Sequence, residues 1–485
     1  MHVVVYWLLC VLLFISDADQ TLGLNNDDGN MTSTGSCIDK ERRALLMLKS
    51  NLIDIQGILN YWSNEEGKRD CCNWWSVNCD TDTGHLGNLF NLSVLDLSGN
   101  SLWGSIPHDL RSLSNLSDLN LSNNSLVGSI PWSSLSSMSL RYIDLSSNLL
   151  SGDLPNNVGQ LSNLTSLDVS SWKHFLLHRM PIPKKLDLSD NRLTGDLPNS
   201  LGQLSNLEYL DVSSKSLHGV ISDLQFINLS SLTYLNLSSL TYLDMSFNSL
   251  AFELNSLFRA PFHLHTIKLQ SCKLGTSFPK WIKNQTSFQY LDISSARISD
   301  SAPLWFWDQP PPGLKYLKLS SNKLRGTLPD LLLLNFYQYP GLDFSNNNLE
   351  GTVPRLPSKL ASLNLSRNKF KGNLSFLCHI DGNLTFIDLS YNLFSESLPD
   401  CWSNFPRLVV LQLLNNYLSG KIPSSFGFLS QLEALYMRKN AFIGELPVSM
   451  KDCTNLRFVD LGGNKLSGKI HVWIGERLSE LYVLV

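Results

Sequence analysis

Short apolar pulses recur along the chain at a fixed step, each closed by a polar turn. Leu92, Leu95 and Leu97 are followed by Asn100 and Leu102, and the same spacing returns 24 residues later as Leu116, Leu119, Leu121, Asn124 and Leu126. Further copies carry Ile143 with Leu145 and Asn148, Leu186 with Leu188 and Asn191, Leu317 with Leu319 and Asn322, and Leu363 with Leu365 and Asn368. Ile387, Leu411, Leu435 and Val459 then fall 24 apart, with Asn392, Asn416, Asn440 and Asn464 five residues on. Alternation at period two predicts one short strand per copy, with its leucines on one face. A single strand cannot bury that face, so neighbouring copies must stack. About sixteen copies stacked at roughly 4.8 Å make a spine of about 75 Å. The Asn marks the inward turn, where its amide can satisfy backbone groups that the bend leaves unpaired in a dry core. That row is expected to be structural, with Cys272 standing in once. A second element follows most turns, as in Gly104 to Pro107, Gly128 to Pro131, Gly152 to Pro155, Gly195 to Pro198, Gly420 to Pro423 and Gly444 to Pro447. Its Gly permits a tight bend and its Pro ends an extended segment.

This period is that of the leucine-rich repeat. With its Leu-x-Gly-x-Ile-Pro element, the chain resembles the plant-specific class of extracellular leucine-rich repeats. The resemblance implies an α/β solenoid, a right-handed superhelix with a parallel sheet on its concave side. Ahead of the repeats, residues 37–90 fit a cap for the apolar end of the stack. Ala44, Leu45, Leu46 and Leu48 lie at helical spacing behind an acidic first turn, followed by Trp62, the pair Cys71 and Cys72, Trp74, Trp75 and Cys79. That order resembles the amino-terminal cap of plant leucine-rich-repeat receptors, which implies disulfides Cys37 to Cys71 and Cys72 to Cys79. Four cysteines by themselves permit three pairings.

Composition narrows the function classes. In 485 residues, 43% are apolar and 16% charged, and 38 Lys+Arg against 42 Asp+Glu give a net charge of −4, so nothing favours nucleic acid or an acidic membrane. Length alone predicts about three domains, but the period predicts one array over 91–485, ending mid-repeat. Val3 to Ile15 is an apolar run too short to span a bilayer, and with Ser16 and Ala18 it reads as a signal peptide over 1–18, leaving a polar segment at 19–36. Asn-x-Ser/Thr sequons at Asn30, Asn91, Asn115, Asn120, Asn123, Asn163, Asn228, Asn236, Asn284, Asn364, Asn373 and Asn383 favour a secreted glycoprotein surface. No run of about 18 apolar residues follows, so no membrane anchor is expected in the chain as written. Hydrolase, zinc-protease, phosphate-loop and kinase motifs are absent, and the histidines lack ligand spacing, so no enzyme, metal or cofactor is expected. Cys378 and Cys401 occupy nearly equivalent places on adjacent coils, as a disulfide or as two buried thiols.

Binding chemistry is sought on the concave face, where strand residues flanking the inward leucines point out. One row reads Tyr142, Tyr209, Tyr234, Tyr242, Tyr290, Tyr316, Phe386 and Phe458, either ligand contacts or strand-forming aromatics stacked on their neighbours. The next row is mostly Asp, so its departures are the more informative positions. Lys268, Lys318, Gln412, Tyr436 and Arg438, with Tyr290 and Tyr316, are the expected ligand contacts. Two irregularities interrupt the array: a 19-residue step from Leu167 to Leu186, and an eight-residue duplication at 231–246.

Phe278 to Ile282, Trp305 to Trp307, Asp452 to Leu461 and Trp473 to Glu476 resemble plant receptor-like proteins of the fungal-xylanase-receptor and scab-resistance type. The likeness covers roughly residues 37–485. It implies an extracellular solenoid that binds a microbial protein or peptide in defence, a membrane helix without a kinase, and signalling through partner receptor kinases at the plasma membrane. The chain stops at Val485 inside a new strand, so the expectation is a fragment or a truncated, secreted form. Two alternatives remain: a soluble secreted inhibitor of microbial wall-degrading enzymes, and a developmental peptide receptor.

Overall fold

A computed structural model of the chain describes scattered residues between 42 and 74 and most of 93–485, leaving out chiefly 157–165, 169–183 and 227–239. The contacts divide it into two units, Met1–Leu207 and Glu208–Val485.

In the first unit, β1 (Val94–Asp96), β2 (Asp118–Asn120), β3 (Tyr142–Asp144), β4 (Ser166–Asp168) and β5 (Lys184–Asp187) form a parallel ladder. Its register aligns Leu95, Leu119, Ile143, Leu167 and Leu186, so the short step between the last two does not shift the pairing. In the second unit the ladder runs through β6 (Leu207–Asp211), β7 (Tyr242–Asp244), β8 (Thr266–Lys268), β9 (Tyr290–Asp292), β10 (Leu314–Lys318) and β11 (Phe336–Asp343). It continues through β12 (Ser362–Asn364), β13 (Phe386–Asp388), β14 (Val410–Gln412), β15 (Ala434–Tyr436), β16 (Phe458–Asp460) and β17 (Val483–Leu484). Each unit is thus a leucine-rich-repeat solenoid with a parallel sheet. The second copy of the eight-residue duplication supplies β7, and the first lies outside the described residues.

The ladder leucines are the core. Leu210, Leu243, Ile267, Leu291, Leu317, Leu342, Leu363, Ile387, Leu411 and Leu435 are each no more than 1% exposed. Burying each such side chain is worth about 1.5–3 kcal/mol, which drives the stacking. Rings fill the wider side of the later coils, with Phe344, Phe370, Phe394, Trp402, Phe426 and Phe442 all fully buried. The Trp-rich stretch belongs to the same packing: Phe278 lies 4.7 Å from Phe306, which lies 5.0 Å from Trp307, and all three are buried.

The Asn row ties coil to coil. Asn392 Nδ2 donates to Leu365 O on the coil before (2.9 Å) and to Leu389 O on its own (3.2 Å), while its Oδ1 accepts from Phe370 N at 3.0 Å. Asn124, Asn148, Asn322, Asn368 and Asn416 bond likewise. Two successive coils lack the amide. Cys272 offers a thiol to Met245 O at 3.1 Å, and Ala296 offers no side-chain donor. Among the described residues, the one before each position of the Asn row is left-handed, for example Asn123 (φ 55°), Arg367 (φ 54°) and Lys439 (φ 55°).

The Leu-x-Gly-x-Ile-Pro element is itself a strand. Ser125–Ser129, Leu149–Asp153 and Arg192–Asp196 pair in parallel in the first unit, and Leu393–Ser397 with Tyr417–Gly420 in the second. Its Gly is needed for both conformation and contact: Gly420 has φ 76°, and a Cβ there would meet Ser397 Cβ at 3.0 Å.

Cys378 and Cys401 are joined across adjacent coils, with Cα atoms 5.5 Å apart. In the cap, buried Trp62 and Trp74 stack at 5.4 Å, and Asp70 Oδ1 accepts from Cys72 N at 3.1 Å. Cys71 and Cys72 are both disulfide-bonded. Cys37 and Cys79 lie outside the described residues, as do the signal peptide and the sequons at Asn30, Asn91, Asn163, Asn228 and Asn236.

Candidate functional site

The concave rows are set by strand register. Tyr209, Tyr242, Thr266, Tyr290, Tyr316, Gly341, Ser362, Phe386, Val410, Ala434 and Phe458 are successive partners, so the aromatic row is real but interrupted by small residues. Tyr234 lies outside the described residues. The Tyr209 and Tyr242 rings stack face to face, centroids 4.0 Å apart. Tyr316 leans over Gly341, where a Cβ would meet its Cδ2 at 2.8 Å.

In the next row each Asp serves its own strand end. Asp292 Oδ1 accepts from Ser294 N (2.9 Å) and Ser294 Oγ (2.6 Å), and Asp211, Asp343 and Asp388 bond in the same way to the Ser two residues on. The carboxylates therefore cap the turn that follows, which makes the Asp row mainly structural.

Against that background the departures separate into two groups. Lys268 and Lys318 stand on either side of Asp292 in register. Lys268 Nζ lies 3.0 Å from Tyr242 Oη and 3.3 Å from Asp244 Oδ2, and Lys318 Nζ lies 3.6 Å from Asp292 Oδ2. Burial pulls the Lys268 ammonium down, but the Tyr242 hydroxyl and Asp244 carboxylate outweigh it and leave its pKa raised. Burial, then Asp211 and Asp244, push the Tyr242 hydroxyl up to about 12 against the opposing pull of Lys268. Tyr316, between Asp292 and Asp343, is also raised, chiefly by burial. These lysines complete an alternating ionic row.

The second group is a pair of neighbouring strands: on β14 and β15 the Asp and Ser positions are both replaced, by Gln412 with Leu414 and by Tyr436 with Arg438, as they are singly on β8 by Lys268 with Gln270. Gln412 and Tyr436 are register partners, and Arg438 projects beside them, with Asp460 Oδ2 at 3.7 Å. No side chain here caps its own strand, so a half-buried amide, a phenol and an exposed guanidinium are left facing outward over a floor of Val410 and Ala434. Phe386 and Phe458 bound that floor on either side. The four strand steps from Lys318 to Gln412 amount to about 19 Å, so the seven expected contacts do not form one cluster. Leu414 was legible only by comparison with the Ser row.

Among the described residues no group of His, Cys, Asp and Glu is placed to hold a metal ion, and no helix is long and apolar enough to cross a membrane.

The "Leucine rich repeat N-terminal domain" family matches residues 38–80, and the "Leucine Rich Repeat" family matches seven segments between 91 and 429. Receptor-like protein EIX2 of Solanum lycopersicum is 46% identical over 267 residues, 55% of this chain and 25% of that protein. Receptor-like protein EIX1 of the same plant is 44% identical over 267 residues, again 55% and 25%. The aligned stretch thus spans about a quarter of either relative. Among solved structures, the Arabidopsis receptor kinase HAESA, in complex with the peptide hormone IDA and the co-receptor SERK1, aligns with a TM-score of 0.57 at 26% identity. The alignment covers 92% of this chain and 81% of that one.

Proposed function

From a leucine-rich-repeat chain of the plant receptor-like type, we propose an extracellular recognition module that binds a microbial protein or peptide along its concave face in defence signalling. The observation that carries this reading is the pair of adjacent coils at Gln412, Leu414, Tyr436 and Arg438, where the self-capping Asp and Ser are both given up. A structural row needs no such exchange. Tyr and Arg are the residue types that dominate binding energy when a partner covers them. Lys268 and Lys318 form a second, weaker contact segment, because both are less exposed than Arg438 and Lys268 is held by a tyrosine hydroxyl as well as an aspartate.

A chain of this kind signals by presenting its bound ligand to a partner receptor kinase at the plasma membrane. The alignment with HAESA, solved with a peptide hormone and a co-receptor, also favours a second reading, a receptor for an endogenous peptide.

The test uses the full chain secreted from plant cells and a secreted fungal xylanase as probe, with binding measured by calorimetry. Tyr436→Ala with Arg438→Ala is expected to weaken binding by about 2 kcal/mol or more, roughly thirtyfold. Lys268→Ala is expected to change it little. Equal affinity of the double variant and the parent overturns the contact assignment. Failure to bind xylanase, with capture of a synthetic peptide hormone instead, replaces the defence reading by the endogenous one.

A further inference from the structure

We infer that Asn364 carries an N-linked glycan standing on the concave sheet, dividing the ligand-facing surface into two separate stretches. The inference rests on the secretory reading above. Asn364 ends β12 in the row held by Asp343 on one neighbouring strand and Asp388 on the other. Like those aspartates it caps its own turn: its Oδ1 accepts from Ser366 N at 3.1 Å and from Ser366 Oγ at 2.7 Å. Ser366 is also the hydroxyl residue of the sequon. Both contacts use the oxygen, so among the described residues Nδ2 has no hydrogen-bond partner and stays available on the concave side. Asn373, farther along the same coil, differs, because its Nδ2 is held by Glu396 Oε2 at 3.1 Å.

The modification forms a bond from Asn364 Nδ2 to C1 of the first N-acetylglucosamine. The C1–O bond to a lipid-linked diphosphate breaks, the lipid diphosphate leaves, and Nδ2 gives up one proton. The acceptor atom would then hold a branched sugar larger than any side chain in the row. Lys318 and Gln412 lie two strands away on opposite sides, each at about 10 Å. A glycan rooted between them covers Tyr316 and Phe386 and prevents one flat ligand from touching both lysine and Tyr436 segments at once. Asn120 repeats the arrangement in the first unit, its Oδ1 accepting from Ser122 N and Oγ at 3.1 and 2.8 Å.

The test needs no ligand. The full chain secreted from plant cells is digested, and the peptide containing residue 364 is weighed with and without its sugar. A glycan mass at Asn364 is expected. Asn364 bare while other sequons are occupied overturns this inference alone, whereas every sequon bare overturns the secretory reading. The comparison variant is N364D, which restores the residue that the row carries at its neighbours and keeps the acceptor for Ser366. Hydroxyl-radical labelling of Tyr316 and Phe386 is expected to rise several-fold in N364D at unchanged melting temperature. An occupied Asn364 with unchanged labelling overturns the division of the face.

Discussion

At the scale of single residues, one half-buried hydroxyl makes the concave face sensitive to alkali. Tyr242 lies under Tyr209, beside Asp244, with Lys268 against its oxygen. Its pKa is raised to about 12 from an ordinary 10.0, so the folded state holds the phenol proton more tightly than the unfolded chain does. The stability this provides is complete below about pH 10 and is lost as pH climbs towards about 12. The raised Lys268 ammonium has the same sign, its contribution present below the unfolded value and lost above it. Tyr242→Phe removes the phenol titration and the lysine's hydroxyl partner together. Urea midpoints at about pH 9 and about pH 11 should therefore fall less between the two for Tyr242→Phe than for the parent chain. Parallel losses in both proteins would contradict this account. None of it was visible in the sequence. The aromatic row was legible, but the face-to-face stack of Tyr209 on Tyr242 depends on the coils between them closing to adjacent strands, across a segment whose spacing is irregular.

At the scale of the coil, an amide sets how much each repeat contributes. Asn392 is 5% exposed and bonds twice to the coil before besides its own strand end, so Asn392→Ala leaves Leu365 O and Phe370 N short of a partner in a dry interior. The local cost should be about 3 kcal/mol, read as faster hydrogen exchange at the Phe370 amide. An unchanged rate there would mean the amide is replaced by water. The Asn row and its role were legible because period and chemistry agree: a 24-residue step fixes the position, and only an amide both gives and accepts at a buried bend. The second sheet was less legible. Its Gly and Pro read as bend and stop, and the two to five residues of each strand are too few for alternation to declare it. Glu396 shows the cost of leaving that pattern, since it holds φ 70° where neighbouring coils have Gly.

Over the whole molecule, the sequence foretells the repeats better than the binding face. The inward leucines announce themselves by periodicity, whereas contacts are departures from consensus whose meaning depends on neighbours. Lys268 and Lys318 look like free cations until register places an aspartate beside each, and Gln412 gains weight only once Leu414 is seen to have displaced the Ser that would cap it. Between Cys378 and Cys401 a 23-residue separation is closed covalently, which restrains the unfolded chain by about 3 kcal/mol in the entropic account. That clip reinforces the later coils, and the amide bonds reinforce most others. The coils of Cys272 and Ala296 supply no such amide of their own: Cys272 offers only a thiol, and the Ala296 coil is tied by an amide only from the coil after it, through Asn322. A tensile load along the stacking axis passes from coil to coil through those lateral bonds, so the Cys272 and Ala296 coils form a weak seam in the second unit. In an optical trap, the first rip should release chain from around residues 264–298, and Ala296→Asn should raise the force at which it occurs. A first rip elsewhere, unmoved by that change, would show that the missing amide bears no load.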